Sequence, residues 1–221
     1  MIRFENVTKH YHYEAYPTLE GLSFSLPDEK ICTLMMETQS GKTTAAKLLT
    51  GTEKPTSGEI FLRGRNIKEI KPEDRGIAYF SEKPLFFPHK TLFKNLAYPL
   101  EIRGIEKTEI SRRVSLLLAG RGFDPKEKAK NLSPDKAQEL AFLRASLRNT
   151  GLALLDDLPP VYYPLIDILP NAAAVILTSK IENALGVVTV IKDNEAKFTG
   201  TPSRAREYID NALWIRGDER N

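Results

Sequence analysis

The sequence predicts an α/β fold, and three observations carry that expectation. Short, continuous apolar runs suited to buried strands stand toward both ends, as in KICTLMM, LALLDD and AAAVILTS. Between them, from about residue 85 to 148, apolar residues fall at helical spacing, with Leu96, Leu100, Val114, Leu117 and Leu118 periodic. The run KICTLMM also passes through a short loop into GKTTAAKLLTG, a strand that feeds a helix. A single domain follows, with an α/β core in residues 1–84 and 149–221 and a helical insertion over about 85–148.

Each element has its own signal. IRFENVTKHY reads as a first strand, and YEAYPTLEGLSFSL as a turn and a second strand with Leu22, Phe24 and Leu26 on one face. After KICTLMM, the helix formers of GKTTAAKLLTG end on Gly51, a suitable helix stop. GEIFLRGRNI predicts a strand with a glycine turn, and GIAYFS another strand. LSPDKAQELAFLRASLR predicts an amphipathic helix, opened by Ser133 as N-cap, Pro134 at the first helical position and Asp135 in the first turn. Four prolines in LPPVYYPLIDILPN forbid much regular helix between the LALLDD and AAAVILTS strands. GVVTVIKDNEAKFTGTP alternates again before a terminal helix, SRAREYIDNALW.

Composition narrows the class. The 221 residues are 41% hydrophobic and 28% charged, as in an ordinary globular protein. A net charge of +3 with no dense Lys/Arg run points away from nucleic acid. The single cysteine, Cys32, excludes a disulfide framework and reads as a buried, inert thiol. No apolar run approaches ~18 residues and no secretory leader is apparent, so the expectation is a cytosolic chain whose membrane contact comes through a partner.

The segment Gln39, Ser40, Gly41, Lys42, Thr43 and Thr44 is where the chemistry starts. Backbone N–H groups at a helix N-terminus bind phosphate oxygens, a lysine there pairs with β/γ-phosphates, and the next hydroxyl ligates Mg²⁺. Met36 and Glu37, in contrast, stand where such a loop has a glycine and a neutral residue.

The order of segments extends this reading. LLTGTEKPTSGEIFLRGRNI, FFPHKTLFKNLAYPLEIRG, NLSPDKAQELAFLRASLRN, LALLDD, ILTSKIENAL and FTGTP together resemble the ATP-binding-cassette (ABC) ATPase domains of membrane transporters, most closely the bacterial importer type. The resemblance implies a P-loop NTPase (RecA-like) core, an N-terminal antiparallel β subdomain and an inserted α-helical subdomain. It implies ATP and Mg²⁺ as ligands, a membrane permease and a second ABC ATPase subunit as partners in a homodimer or heterodimer, and a place at the inner face of the membrane.

Residue by residue, Tyr11 matches the aromatic that stacks on adenine, with Tyr13 and Tyr16 close enough to leave that choice open. Asp156 matches the Walker B aspartate, which holds Mg²⁺ through water. Glu82 stands at the Q-loop glutamine, which touches the metal and relays to the transporter. Asp157 replaces the glutamate that orients the attacking water, one methylene shorter, and Ser179 replaces the switch histidine. The signature Leu-Ser-Gly-Gly-Gln becomes Leu132-Ser133-Pro134-Asp135-Lys136. Pro134 there removes an N–H, and Asp135 puts negative charge where the facing subunit's γ-phosphate docks. The resemblance thus implies a degenerate transporter ATPase that binds nucleotide weakly and hydrolyses little. Phe86 and Phe87, which follow the Q-loop position, are the candidate wall for a permease helix, with a plain place in the core as the alternative. A scaffold or regulatory ABC-like protein, and a slow but genuine ATPase using Asp157, are the alternatives.

Overall fold

In the computed structural model, which describes residues 2–211, ten strands form one continuous sheet in the order β5-β4-β1-β2-β10-β9-β3-β8-β7-β6. In chain order the strands are β1 (Ile2–Lys9), β2 (Leu19–Leu26), β3 (Ile31–Met35), β4 (Ser57–Leu62), β5 (Arg65–Asn66), β6 (Ile77–Ser81), β7 (Leu152–Asp156), β8 (Ala173–Thr178), β9 (Val187–Lys192) and β10 (Glu195–Gly200). The helices are α1 (Lys42–Thr50), α2 (Leu92–Glu101), α3 (Lys107–Leu118), α4 (Pro134–Ser146) and α5 (Pro202–Asn211). The fold is the P-loop NTPase type: β9, β3, β8, β7 and β6 run parallel, with β3 between β9 and β8.

β1, β2, β4 and β5 form the antiparallel wing. It joins the parallel half through β10, whose Glu195 pairs with Ser23 of β2. Leu22, Phe24 and Leu26 share the buried face, as the alternation predicts. The glycine signal in GEIFLRGRNI becomes a two-residue turn, with Arg63 at φ 51° and Gly64 at φ 79°. Asp193 and Asn194, both at positive φ, make the equivalent turn between β9 and β10. Cys32 is buried, and burial raises its thiol pKa, which suits an inert packing role.

One apolar cluster lies between the wing, α1 and one face of the parallel sheet, with Phe4, Leu34, Leu48 and Ile60 nearly inaccessible. A second covers the opposite face, where Phe80 and Phe142 stack at 3.9 Å between centroids. A third knits the helices together around Leu96, Leu100 and Val114. α4 belongs to the last two at once: Leu140 and Leu143 face the helices, while Ala141, Phe142 and Ala145 face the sheet. The expected single apolar face is therefore two, because this helix is the joint between insertion and core.

Ser133 caps α4 and Thr91 caps α2, each side chain accepting a backbone N–H. The proline-rich stretch is 3-10 turns from Pro160 to Ile168 that bury Tyr163 and Ile166. α5 begins at Pro202; residues 212–214, the expected end of the terminal helix, lie outside the described residues. No helix among the described residues is long and apolar enough to cross a membrane.

Candidate functional site

The loop between β3 and α1 settles where Met36 and Glu37 go. Met36 turns into the core, 1% exposed, and its N–H donates to the Thr178 carbonyl at 3.1 Å. Glu37, Thr38 and Gln39 are exposed. The Ser40 N–H and hydroxyl both donate to the Glu37 carbonyl, at 3.2 and 2.5 Å, and close the turn. Gln39 at φ 63° and Gly41 at φ 87° give the loop its left-handed steps. Gly41 is required twice over, since a Cβ there would collide with the Leu19 side chain as well as strain the backbone.

α1 then starts at Lys42, and its C-terminus is held as firmly as its start. Gly51 closes it in the left-handed conformation. Buried Arg75 donates to the carbonyls of Leu48, Leu49, Ile67 and Ile70 at 2.8–3.2 Å. Nothing in the sequence singles out Arg75 for this task.

Lys42 is nearly inaccessible, and its Nζ lies 3.4 Å from Oδ2 of Asp157. Asp157 itself is more than half exposed, sits at φ 46° and donates its N–H to the Leu177 carbonyl at 2.9 Å. Asp156, at the end of β7, is 6% exposed. Its Oδ2 accepts the Tyr79 hydroxyl at 2.7 Å, while its Oδ1 is buried and has no partner. Burial, and then the bond to Asp156, push the Tyr79 phenol well above its ordinary pKa, so it stays a neutral donor. The structure therefore brings Lys42, at the start of the helix that follows β3, to Asp157, beside Asp156 at the C-terminal end of β7, across the end of the intervening strand β8, with Thr43 exposed and Thr44 buried on the first turn of α1. Ser179 follows β8 directly, partly buried, next to the Thr178 carbonyl that holds Met36.

The remaining predicted residues stand on other elements. Glu82 is exposed, and its backbone carbonyl accepts Gln138 Nε2 at 3.0 Å, with the Ser81 carbonyl at 2.8 Å. Gln138 is 1% exposed on α4, a polar residue on a helix face that the apolar spacing marks as buried. Ser133 is spent as the N-cap, its Oγ accepting the Lys136 N–H at 3.4 Å. Asp135 accepts the Tyr162 hydroxyl at 2.8 Å. Lys136 donates to the Arg121 carbonyl, pairs with Glu139 at 3.1 Å and lies over the Phe123 ring. Tyr11 stacks on Tyr13 at 5.5 Å and carries the Lys9 ammonium 4.6 Å from its centroid; Tyr13 and Tyr16 are 83% and 82% exposed.

A groove of about 520 Å³ runs between β6 and the helical insertion. Phe87, Tyr98, Ile102, Arg144, Arg148 and Tyr79 line it. Phe86 instead packs inward, under the Arg144 guanidinium at 4.7 Å. Buried Asn95 fixes the loop that carries these rings, exchanging bonds with Phe87, Lys90 and Thr91 backbone groups at 2.8–3.3 Å. Sequence reasoning missed Tyr79, Gln138, Asn95 and Arg75.

The orphaned Asp156 Oδ1 fits a cation held nearby, and the buried Lys42 ammonium fits an anion. Among the described residues no three His, Cys, Asp or Glu side chains converge on one point. A metal here would complete its coordination with hydroxyl, phosphate and water oxygens.

Comparison with known proteins agrees with the fold. The family profile described as ABC transporter matches residues 19–158. The spermidine/putrescine import ATP-binding protein PotA of Rubrobacter xylanophilus is 32% identical over 159 residues, 71% of this chain and 41% of that one. The sn-glycerol-3-phosphate import ATP-binding protein UgpC of Yersinia enterocolitica is 30% identical over 71% of this chain and 43% of its own. The matched region thus spans about two fifths of the length of these curated relatives. A dimeric ATP-binding cassette in a post-hydrolysis state, bound to ADP and Pi, superposes with a TM-score of 0.72 at 19% identity, over 91% of this chain and 99% of that one. A dimeric bacterial ABC transporter cassette superposes equally well at 21% identity.

Proposed function

The chain belongs to the ABC transporter family, and from that membership we propose that it is an importer-type ATP-binding subunit that holds Mg²⁺–ATP, turns it over little and works through a membrane permease. The observation that carries this reading is the Asp156 carboxylate, buried with one oxygen unpartnered beside the Lys42–Asp157 pair. A buried carboxylate oxygen without a donor is costly unless a cation answers it.

In this reading Lys42 and the N–H groups of Gln39 and of Gly41 to Thr44 would hold the phosphates, with Ser40, whose N–H and hydroxyl are both bonded to the Glu37 carbonyl, closing the loop behind them. Thr43 and Asp156 would hold the metal, with Glu82, the residue after the Ser81 that pairs with Asp156 in the β6–β7 register, as a further candidate. Mg²⁺–ATP supplies a γ-phosphoryl group whose charge the metal neutralises during transfer. We assign the adenine-stacking role to Tyr13, which is stacked on Tyr11 and exposed to solvent. That choice moves the contact two residues along from Tyr11, whose ring already meets Tyr13 and the Lys9 ammonium.

Low turnover follows from what the other groups are doing. Asp157 is drawn to Lys42 and is a methylene shorter than the expected base, a displacement of the kind that costs on the order of 10²-fold in rate. Ser179 carries no imidazole. Ser133 caps its own helix, Asp135 is bonded to Tyr162 and Lys136 is tied to Arg121 and Glu139, so the signature segment presents no phosphate clamp to a facing subunit, identical or different.

The groove supports the permease side of the reading: aromatic and aliphatic walls with Arg144 and Arg148 suit a helix from a membrane partner. The chain would then sit peripherally at the inner face of the membrane. Calorimetric titration with Mg²⁺–ATP tests the reading. Saturable binding lost in Lys42→Ala supports it, and heats identical to that variant's would refute it.

A further inference from the structure

Tyr79 belongs to two places that otherwise do not touch. Its hydroxyl donates to Asp156 Oδ2 at 2.7 Å, and its half-exposed ring lines the groove between β6 and the helical insertion. The strand geometry explains how one side chain does both. β6 is the last strand of the sheet, so its flank is open to the groove. Its register sets Ser81 opposite Asp156 and Tyr79 opposite Leu154, so the phenol reaches diagonally across one strand to the carboxylate. Glu82, at the Q-loop position, is by contrast exposed, and its backbone is fixed by Gln138.

We propose that Tyr79 is a positioning residue that fixes the Asp156 carboxylate for the metal and transmits occupancy of the groove to it. This rests on the Mg²⁺–nucleotide reading above. With Oδ2 held by the phenol, the carboxylate cannot rotate, and the unpartnered Oδ1 is the oxygen left for a metal or its water. A helix seated in the groove presses on the same ring. Any shift of that ring lengthens the bond to Oδ2 and loosens Asp156, so the groove and the metal share one hydrogen bond. Partners that orient a metal-binding group in this way typically change metal affinity by about 10–100-fold when removed.

The test compares affinity for a non-hydrolysable ATP analogue in EDTA with affinity in saturating Mg²⁺; their ratio is the metal enhancement. Tyr79→Phe keeps the ring and removes only the hydroxyl. The expected result is a metal enhancement reduced about 10-fold, with the EDTA affinity unchanged. Tyr79→Met, also without a donor, gives the same answer should the Phe variant not fold. Ile102→Trp, at an exposed position of the groove, is then made in both backgrounds. It should alter the metal enhancement of the native chain and leave that of Tyr79→Phe unchanged. An unchanged enhancement in Tyr79→Phe, or equal effects of Ile102→Trp in both backgrounds, overturns the proposal while leaving nucleotide binding intact. Absence of any metal enhancement in the native chain would overturn the Mg²⁺–nucleotide reading, and this proposal with it.

Discussion

Replacing Asp157 by Asn should tighten the binding of ATP in the absence of metal. The Lys42 ammonium is nearly buried and has Asp157 Oδ2 at 3.4 Å. At that separation Coulomb's law gives roughly 1.2 kcal/mol in water and roughly 5 kcal/mol at an effective dielectric of about 20. The carboxylate is more than half exposed, so the lower end applies, at about 1 kcal/mol. An incoming polyphosphate must displace this pairing and also meets the Asp157 charge at close range. Asparagine has nearly the same shape, and its neutral amide removes both costs. The expected gain is about fivefold in affinity, from about 1 kcal/mol. Titration calorimetry in EDTA with a non-hydrolysable analogue reads it directly, and raising the salt concentration should shrink the gain because one of the charges is exposed. Unchanged or weaker binding in Asp157→Asn would refute the view that Asp157 competes with phosphate for Lys42.

Arg75→Met should destabilise the fold by about 3 kcal/mol, because several backbone carbonyls lose a buried charged donor at once. Urea unfolding should show a lower midpoint with an unchanged slope, and a loss under about 1 kcal/mol would contradict the helix-capping role. Tyr163 supplies a pH dependence. Its pKa is pushed up to about 12, first by burial and then by the Asp157 charge, from 10.0 unperturbed. A phenol whose folded pKa is raised adds stability below pH 10 that is lost as pH climbs through about 12, and Tyr79 acts in the same direction. Alkaline unfolding should therefore coincide with tyrosinate absorbance in that window, and Tyr163→Phe should weaken the coincidence.

How much of this was legible in the sequence depends on what kind of contact carried each feature. The strands were legible because LALLD and AAVILT are buried on both faces and read as continuous apolar runs. α1 was bounded by Gly41 and Gly51, both at positive φ and both visible as glycines. α4 was legible as a helix but not as a joint, since a pattern that is apolar on two sides looks like a weak version of one side. In the site, Lys42 and Asp156 were legible because their neighbours in the chain define them. Tyr79, Gln138 and Asn95 were not, because each acts on a residue far along the chain or on backbone. Tyr79 meets a carboxylate 77 residues away, and Gln138 clamps carbonyls more than 50 residues away. Tyr162 and Asp135 are another such pair: a proline-rich segment that reads as mere loop supplies the hydroxyl that occupies the signature aspartate. Met36 shows the reverse. The sequence marked it as a loss from the phosphate loop, yet its side chain belongs to the core and leaves the loop's mouth open.

One measurement reads both whether this chain holds Mg²⁺–ATP and whether it turns it over. Purified protein in excess over γ-labelled ATP and Mg²⁺ is followed for bound nucleotide and for released phosphate in the same sample, with Lys42→Ala alongside. Nucleotide should be retained by the native chain and not by the variant, and the label should stay in ATP long after binding is complete. Rapid release of labelled phosphate by the native chain, absent in Lys42→Ala, would contradict the low-turnover reading.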